Sequence, residues 1–272
     1  MNPELSVILP AIRTNLWDKF YDSLEKSCSQ YSWEVIFSSP FELTSYLQSK
    51  NNVKLIKEFG CPSRAAQLCL FEADGNLISH TVDDALFYEG AIDKTIDQYY
   101  GFGYGNISDK TTINMRYREG VNYQGTELPR EYWNAWHHKD LRLNGIPQNY
   151  KATCHFMMNK DYLLSLGGFD CRFEYLVHPC LDLMFRIQSD GGFIEDSIKE
   201  ISTCDHMPGH SGDHAPIHDA QQIHDYPIFK KMYENEDVSK RISIDINNWS
   251  QQPSVWGRRF SSKIPKEYKD LL

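Results

Sequence analysis

Two adjacent carboxylates, Asp83 and Asp84, follow a predicted strand and precede the apolar run 85–87. Adjacent carboxylates repel each other unless a cation or several hydrogen-bond donors neutralise them. Mg²⁺ and Mn²⁺ prefer such oxygens and leave coordination positions open for phosphate. The pair therefore predicts either a divalent-metal site or a simpler arrangement, in which one Asp caps the next turn and the other is solvated.

A second group of potential ligands lies between Cys204 and His214, where His206, His210 and His214 recur at intervals of four residues. On a helix this spacing would align three imidazoles and predict a zinc site. Proline and glycine residues inside the run make a continuous helix unfavourable. The pattern favours a loop that presents one His to a metal over a three-His zinc site, and a hydrogen-bonded loop without metal is the alternative.

Asp182 and Arg186 form a third feature, spaced i, i+4 on a predicted helix that follows the turn Gly168-Phe169-Asp170. The simplest interpretation is a surface ion pair that contributes a few tenths of a kcal/mol, on the order of 0.3 kcal/mol. The functional interpretation is a carboxylate base at a helix that faces a cleft. Spacing alone favours the surface pair.

Strands and helices alternate about four times in the first 85 residues. This alternation predicts an α/β fold with a mostly parallel sheet covered by helices. Ligands of such sheets bind beyond the carboxyl ends of the strands. The predicted strands are 5–10, 33–37, 53–59 and 77–82, and the predicted helices pass through 17–24, 43–47 and 63–70, the last capped by Ser63. The residues expected together at one edge are Pro10, Ser38, Ser39, Gly60, Asp83 and Asp84.

The rest of the chain is less regular. Residues 118–150 are rich in Tyr, Trp, His and Asn without a clear period, which is typical of a binding loop. The remaining predicted elements are helices 89–100, 161–166, 181–188 and 221–233 and strands 111–117 and 152–158.

Composition excludes several classes of protein. The chain has 272 residues and a net charge of −9, which argues against nonspecific nucleic-acid binding. No run approaches 18 apolar residues, and the start has neither a basic segment nor a long apolar one, so we expect neither a membrane span nor a signal peptide. Seven scattered cysteines without a CxxC pair predict reduced thiols in a cytoplasmic protein.

Together these motifs resemble the GT-A-fold glycosyltransferases of the large family-2-like group, over about residues 5–206. The resemblance implies a GT-A domain over 1–214, with a nucleotide-sugar half (1–100) and an acceptor half (101–214), and a helical or irregular C-terminal extension over 215–272. The segments that resemble the family's motifs are 6–10, 60–67, 73–78, Val82-Asp83-Asp84, 89–93, and 167–173 followed by Asp182, Arg186 and Gly191.

The resemblance implies a metal-dependent, inverting transfer of a sugar from a nucleotide diphosphate, with a UDP-sugar favoured. Asp84, with Asp83, would hold Mn²⁺ or Mg²⁺ against the donor diphosphate, and His206 would supply a late ligand to the metal or the diphosphate. The metal motif departs from the family's pattern, because its first acid is missing from Val82-Asp83-Asp84.

Nucleotide contacts are implied at Pro10, Ala11, Ser38 and Ser39, and Arg64 is a candidate phosphate partner on grounds of charge. The family places an Asp after the second strand, where this chain has Ser38-Ser39. Recognition of the nucleotide base therefore differs from the family's usual arrangement.

The catalytic helix also departs from the family. Its usual Glu-Asp pair falls on Pro179-Cys180, and a thiol is a poor base for a hydroxyl. We therefore expect Asp182, the nearest carboxylate on the helix, to act as the catalytic base, with His178 and Glu174 as substitutes.

The expected partners are a nucleotide sugar and a glycan or glycolipid acceptor, without nucleic acid, and the chain could form a homodimer. The aromatic residues of 118–150 could form part of the acceptor wall or fill the core. Two alternatives stay open: a zinc hydrolase that uses the 204–214 cluster, and a non-catalytic carbohydrate-binding protein on a transferase-like fold.

Overall fold

A seven-stranded sheet forms the centre of the protein. The computed structural model describes residues 2–58, 61–102, 108–119, 136–137, 151–204, 220–234 and 240–246. Its strands are β1 Leu5–Pro10, β2 Trp33–Ser39, β3 Val53–Lys57, β4 Leu77–His80, β5 Ala85–Phe87, β6 Thr111–Asn114, β7 Tyr117–Glu119, β8 Trp136–His137, β9 Lys151–Ala152, β10 Phe156–Asn159, β11 Phe193–Asp196 and β12 Ser202–Cys204. Its helices are α1 Trp17–Ser27, α2 Ser45–Gln48, α3 Pro62–Glu72, α4 Ala91–Tyr99, α5 Lys160–Ser165, α6 Val177–Ser189 and α7 Tyr226–Glu234, the last preceded by a π-helical turn, Gln221–Asp225.

The strand order of the large sheet is β11-β6-β10-β4-β1-β2-β3. The pairs β1–β2, β2–β3 and β1–β4 are parallel, and β10 is antiparallel to both of its neighbours. The predicted α/β fold with a mostly parallel sheet is therefore confirmed. A second sheet of three short strands, in the order β5-β12-β7, begins directly after the Asp83-Asp84 pair.

Helices cover both faces of the large sheet, and alternate residues of its strands enter two cores. In β1, Ile8 packs with α3, α5, α6 and α7, whereas Val7 and Leu9 pack with α1 and α4 on the opposite face. This period of two explains why the strand is almost entirely apolar, with Ser6 as the exception, since both of its faces are covered. The acids that follow the strands are thereby held at the edge of a rigid layer.

Several predicted boundaries are corrected by the structure. Ser63 is not the N-cap of α3, because the helix begins at Pro62, whose fixed φ and missing N–H suit the first helical position. The predicted strand 111–117 is two strands, because the chain leaves the large sheet after Asn114 and joins the small sheet at Tyr117. The predicted strand 152–158 likewise divides into β9 and β10, which belong to different sheets.

The C-terminal part of the described chain belongs to the same core as α6. Phe229 and Tyr233 of α7 are almost fully buried and contact Phe185. The predicted domain boundary at residue 214 lies outside the described residues and stays a prediction. Over the part of the chain that the structure describes, the helices are too short or too polar to span a membrane.

Candidate functional site

The carboxyl ends of β1, β2, β3 and β4 meet at one edge of the large sheet, which we call the strand-end edge. The parallel register pairs Pro10 with Ser38 and Ile8 with His80, so the strands end side by side. The amide of Ala11 also donates to the carbonyl of Ser38 at 2.9 Å. The convergence expected from the order of the elements is therefore present.

Asp83 holds the loop between β1 and α1 against this edge. Its Oδ2 accepts hydrogen bonds from the amides of Ile12 (2.7 Å) and Arg13 (2.6 Å) and from Nε1 of Trp17 (3.3 Å). Its Oδ1 pairs with the Arg13 guanidinium. Protein donors thus engage both oxygens, so this carboxylate organises the loop, and the role of Asp83 as a metal ligand stays a prediction.

Asp84 has a different environment. Nη1 of Arg13 lies 3.8 Å from its Oδ2, beyond hydrogen-bonding distance, while the same atom bonds directly to Asp83. One guanidinium therefore contacts two adjacent carboxylates. Both acids are nearly inaccessible to solvent, and at low dielectric a cation close to two adjacent carboxylates interacts with them strongly.

Tyr175, in the segment before α6, interacts electrostatically with Asp84 and Arg13. Burial raises the pKa of Tyr175 to about 12, Cys154 and Asp84 add to the rise, and Arg13 opposes it. These interactions place the Tyr175 phenol within electrostatic range of both Arg13 and Asp84. Sequence reasoning missed Arg13 and Tyr175, because each lies in a loop and is brought to the acids by tertiary packing.

Cys180, at the position of the family's usual base, also lies close to Tyr175. Burial raises the pKa of its thiol well above the usual value, and a hydrogen bond with Cys154 adds to the rise. The thiol is therefore neutral at physiological pH. This agrees with the expectation that Cys180 is a poor base.

The other predicted nucleotide contacts are placed at the strand-end edge but are mostly covered. Pro10, Ala11, Ser38 and Ser39 are buried, and the hydroxyl of Ser39 accepts a hydrogen bond from the Phe41 amide at 3.1 Å. Arg64 differs, because its side chain is 42% exposed and lies 3.3 Å from the Glu58 carboxylate. Of these predicted contacts, Arg64 is the side chain that a ligand reaches most readily.

Asp182 is not placed as a catalytic base would be. It is fully buried and forms ion pairs with Arg186 (2.9 Å) and Arg241 (2.7 Å), and it accepts a hydrogen bond from the Tyr233 hydroxyl. Burial opposes ionisation of this carboxyl, but Arg186 and Arg241 outweigh it and lower the pKa to about 2. A carboxylate saturated by such donors is a weak base. The surface-pair interpretation is also wrong, since Arg186 is as buried as Asp182.

The glycine turn that precedes α6 explains this network. Gly167 and Gly168 adopt positive φ angles of 90° and 69°, and a Cβ on Gly168 would lie 2.2 Å from Oε1 of Gln67. The guanidinium of Arg186 donates to the carbonyls of Leu166 and, at 2.6 Å, Gly168. The motif over 167–186 that resembles the family's pattern therefore has a structural role. It fixes the glycine turn against α3, through Gln67, and against α6, through Arg186.

The two substitutes for Asp182 lie beside the start of α6. Burial lowers the pKa of His178 to about 4, and its ring packs against Phe173 and Phe229. Glu174 is also buried, and its amide donates to Asp225 at 2.8 Å. Its neighbour Tyr175 interacts electrostatically with Asp84.

Two predicted features fall outside the described residues: His206 with the rest of the 205–214 cluster, and most of the 118–150 segment. Within the described ranges, no group of three or more His, Cys, Asp or Glu side chains is arranged to hold a metal ion. Of the predicted metal ligands, Asp84 and Asp83 are therefore the two that lie within the described residues.

The architecture is similar to that of several solved enzymes. TarS of S. aureus, residues 1–349 in complex with UDP, matches with a TM-score of 0.54 and 14% identity, over 98% of this chain and 77% of that chain. The same fragment with UDP-GlcNAc matches with a TM-score of 0.53 and 16% identity over the same shares. The mannosyltransferase PcManGT from Pyrobaculum calidifontis, in complex with GDP-Man and Mn²⁺, matches with a TM-score of 0.53 and 15% identity, over 89% of this chain and 68% of that chain.

The chain has the fold of these glycosyltransferases. The GT-A-like fold expected from the sequence motifs is thereby confirmed. No protein-family model matches the sequence, and no curated protein matches it. At such low identity the likeness establishes the fold, and the activity must be argued from the site.

Proposed function

We propose that this protein is a metal-dependent glycosyltransferase that moves a sugar from a nucleotide diphosphate, with a UDP-sugar favoured, to a hydroxyl of a glycan acceptor. The observation that supports this most directly is the acid pair at the strand-end edge, where one carboxylate organises the first loop and the other shares its guanidinium. Ligands of open α/β sheets bind at this edge. The solved structures of the same fold hold UDP, UDP-GlcNAc or GDP-Man.

The residues at this edge fit a divalent cation. Mg²⁺ is usually held by one or two carboxylates together with substrate phosphates, so a single available carboxylate is sufficient. Asp84 would be that ligand, and His206 stays a predicted second one. When bound, the cation offsets the charge that develops on the departing nucleotide diphosphate.

The chain's own residues orient the donor. Asp83 fixes the loop that carries Arg13, so the guanidinium is held beside Asp84 and is available to stabilise negative charge on the diphosphate. Arg64, at the start of α3, supplies an exposed positive charge on the same edge. Both cations are held by carboxylates and need little reorganisation during the reaction.

An inverting transfer also needs a base for the acceptor hydroxyl. We assign this role to Glu174, because it is the predicted substitute that lies directly beside Tyr175, and its backbone is anchored by Asp225. The carboxylate takes the hydroxyl proton while the acceptor oxygen forms a bond to the anomeric carbon. The bond from that carbon to the diphosphate breaks, and its electron pair leaves with the nucleotide.

Hydrolysis of UDP-sugars without acceptor tests the proposed function. We expect slow release of UDP by the wild type with Mn²⁺, its loss in EDTA, and a rate lower by about 100-fold or more in Asp84→Asn, which removes the charge that binds the cation. The matched control is Asp74→Asn, which changes an acid that is 60% exposed and paired with Lys54. Normal turnover by Asp84→Asn, or equal rates with and without metal, would contradict the proposal.

The base is tested separately by transfer to an acceptor. Glu174→Gln should reduce sugar transfer to the acceptor while leaving UDP binding unchanged. Transfer at the wild-type rate by Glu174→Gln would show that the base lies elsewhere, without affecting the role of Asp84.

A further inference from the structure

A cavity lies at the end of the small sheet that is farther from the acid pair. It encloses about 740 Å³ between α4 and residues 198–201, within the range of small-molecule sites. Strand β5 begins at Ala85, beside Asp84, and runs towards Tyr88, which lines the cavity. At about 3.3 Å per residue, the four steps from Asp84 to Tyr88 separate the two sites by roughly 13 Å. We call this second site the α4 cavity.

Positive charge dominates the wall of the α4 cavity. Four cationic and two acidic side chains line it, in a protein whose net charge is −9. A concave site with an excess of one sign concentrates the field and attracts ligands of the opposite sign. The charged lining residues are Lys94, Arg116, Arg118, Lys199, Glu89 and Glu200.

Arg116 provides a fixed positive charge. Its Nε donates to the carbonyl of Ser197 at 2.7 Å, and its Nη2 donates to the carbonyl of Ile198 at 2.6 Å. Neutral carbonyls orient the guanidinium without cancelling its charge, and they use two of its five N–H groups. An immobilised guanidinium of this kind is suited to bind a carboxylate or a phosphate.

The other cations divide into one paired residue and two unpaired ones. Arg118 makes a two-pronged contact with Glu200, at 3.1 and 3.2 Å, so these two charges offset each other. Lys94 and Lys199 are exposed and form no ion pair with any residue that the structure describes. The excess charge of the cavity therefore comes from Arg116 and the two lysines, against Glu89.

The cavity also offers surfaces suited to a sugar ring. Tyr88 is 39% exposed at its border, and the faces of aromatic rings pack well against the C–H faces of sugars. Thr95 and Gln98 add polar atoms to the wall. A bare inorganic anion would leave most of a cavity of this size unfilled.

We propose that the α4 cavity binds an oligosaccharide that carries carboxylate or phosphate groups, as a remote subsite for the acceptor. Its role as an acceptor subsite rests on the proposed function, whereas saccharide binding itself does not. A polymeric acceptor held there could extend along β5 to Asp84, so the cavity selects anionic chains of several sugar units over single sugars.

Isothermal titration calorimetry at low ionic strength tests this proposal. The probes are tetragalacturonate, a maltotetraose that carries one phosphate, their neutral counterparts and inorganic phosphate. We expect at least one anionic tetrasaccharide to bind ten-fold or more tightly than its neutral counterpart and than inorganic phosphate. The anionic probe that binds more tightly identifies the charged group; equal affinity of charged and neutral probes, or tighter binding of inorganic phosphate, overturns the proposal.

The site is located with matched variants that remove two positive charges. Lys94→Gln/Lys199→Gln should weaken binding of the anionic tetrasaccharide by ten-fold or more. The control, Lys19→Gln/Lys230→Gln, changes two exposed lysines elsewhere and should alter the affinity by less than two-fold. Equal weakening in both variants would show that overall charge, and not the cavity, attracts the saccharide, and would overturn the proposal.

Failure of this inference is distinguishable from failure of the proposed function. Lys94→Gln/Lys199→Gln should hydrolyse UDP-sugars at the wild-type rate without acceptor, because neither lysine lies at the strand-end edge. Asp84→Asn should bind the anionic tetrasaccharide normally even where its donor hydrolysis is lost. Loss of donor hydrolysis in Lys94→Gln/Lys199→Gln would show that the α4 cavity is not separate from the donor site. That result would overturn the inference of a remote acceptor subsite.

Discussion

Two pairs of buried acids in this protein contact guanidiniums in different ways. In the first pair, Arg13 bonds directly to Asp83 and lies 3.8 Å from Asp84. Asp170 and Asp182 are surrounded by an excess of positive charge. The guanidiniums that contact the second pair belong to Arg172, Arg186 and Arg241.

This difference separates a binding site from a structural one. Arg241 bridges the second pair, with its Nη2 at 2.8 Å from Asp170 and its Nε at 2.7 Å from Asp182, so every carboxylate is saturated. At the strand-end edge, the Arg13 guanidinium lies 3.8 Å from Asp84, beyond hydrogen-bonding distance. Buried acids in direct ion pairs hold the fold together, whereas an acid at the carboxyl ends of the strands is placed where ligands of such sheets bind.

The largest expected effect is on stability and comes from Asp182→Asn. Removing this charge leaves the buried Arg186 guanidinium without its carboxylate and takes one of two carboxylates from Arg241, so we expect a loss of about 3–5 kcal/mol in the free energy of unfolding. Urea denaturation measures it, with Asp161→Asn as a control at an exposed position of α5. An Asp182→Asn variant that is as stable as the wild type but has lost sugar transfer would support Asp182 as the catalytic base. It would also remove the distinction between the two acid pairs.

Asp83→Asn should have the next largest effect. The change replaces a charged acceptor of hydrogen bonds from Ile12, Arg13 and Trp17 by an amide, which costs about 1.5–3 kcal/mol. We also expect a higher KM for the donor, since the loop that carries Arg13 is no longer fixed. Unchanged stability would show that Asp83 does not organise the loop and is free to bind metal as originally predicted.

The pH dependence of stability offers a further comparison, through the buried Asp225. Burial raises its pKa from 3.8 to about 7, although the amides of Glu174 and Tyr175 oppose the rise. Between pH 4 and pH 7 the folded state therefore binds more protons at this carboxyl than the unfolded state, and its contribution to stability falls as the pH rises. Asp225→Asn should flatten this slope in urea titrations, whereas a slope equal to that of the wild type would contradict the raised pKa.

The smallest effect on stability is expected for Arg64→Gln. The guanidinium is largely exposed and its ion pair with Glu58 is screened by solvent, so the loss should be below about 1 kcal/mol. If Arg64 contacts the diphosphate, the KM for the UDP-sugar should rise several-fold at an unchanged melting temperature. A KM equal to that of the wild type would remove Arg64 from the donor site.

Local patterns were enough to predict much of the fold and one edge of the site. The alternation of apolar runs and turns identified the parallel strands, because strands covered on both faces must be apolar throughout. The positions of Pro10, Ser38 and Asp83 at one edge then followed from the rule that parallel strands end together. Errors arose where a strand changed sheets, as at 111–117, since the local pattern of residues does not reveal the partner strand.

The roles of the acids could not be predicted in the same way. The spacing of Asp182 and Arg186 is compatible with an exposed pair, a catalytic base or a buried network, and only Arg241, 59 residues further along the chain, decides between them. The same holds for Asp84, whose environment depends on Arg13 and on Tyr175, which lie far from it in sequence.

The sequence by itself determined the order of strands and helices, the acids at the end of β4 and the overall negative charge, since these depend on local pattern and composition. Only the tertiary structure decided which carboxylates are neutralised and where positive charge collects around the α4 cavity. The physical reason is that the energy of a buried charge depends on its neighbours within a few ångströms. In this protein, those neighbours come from distant segments of the chain.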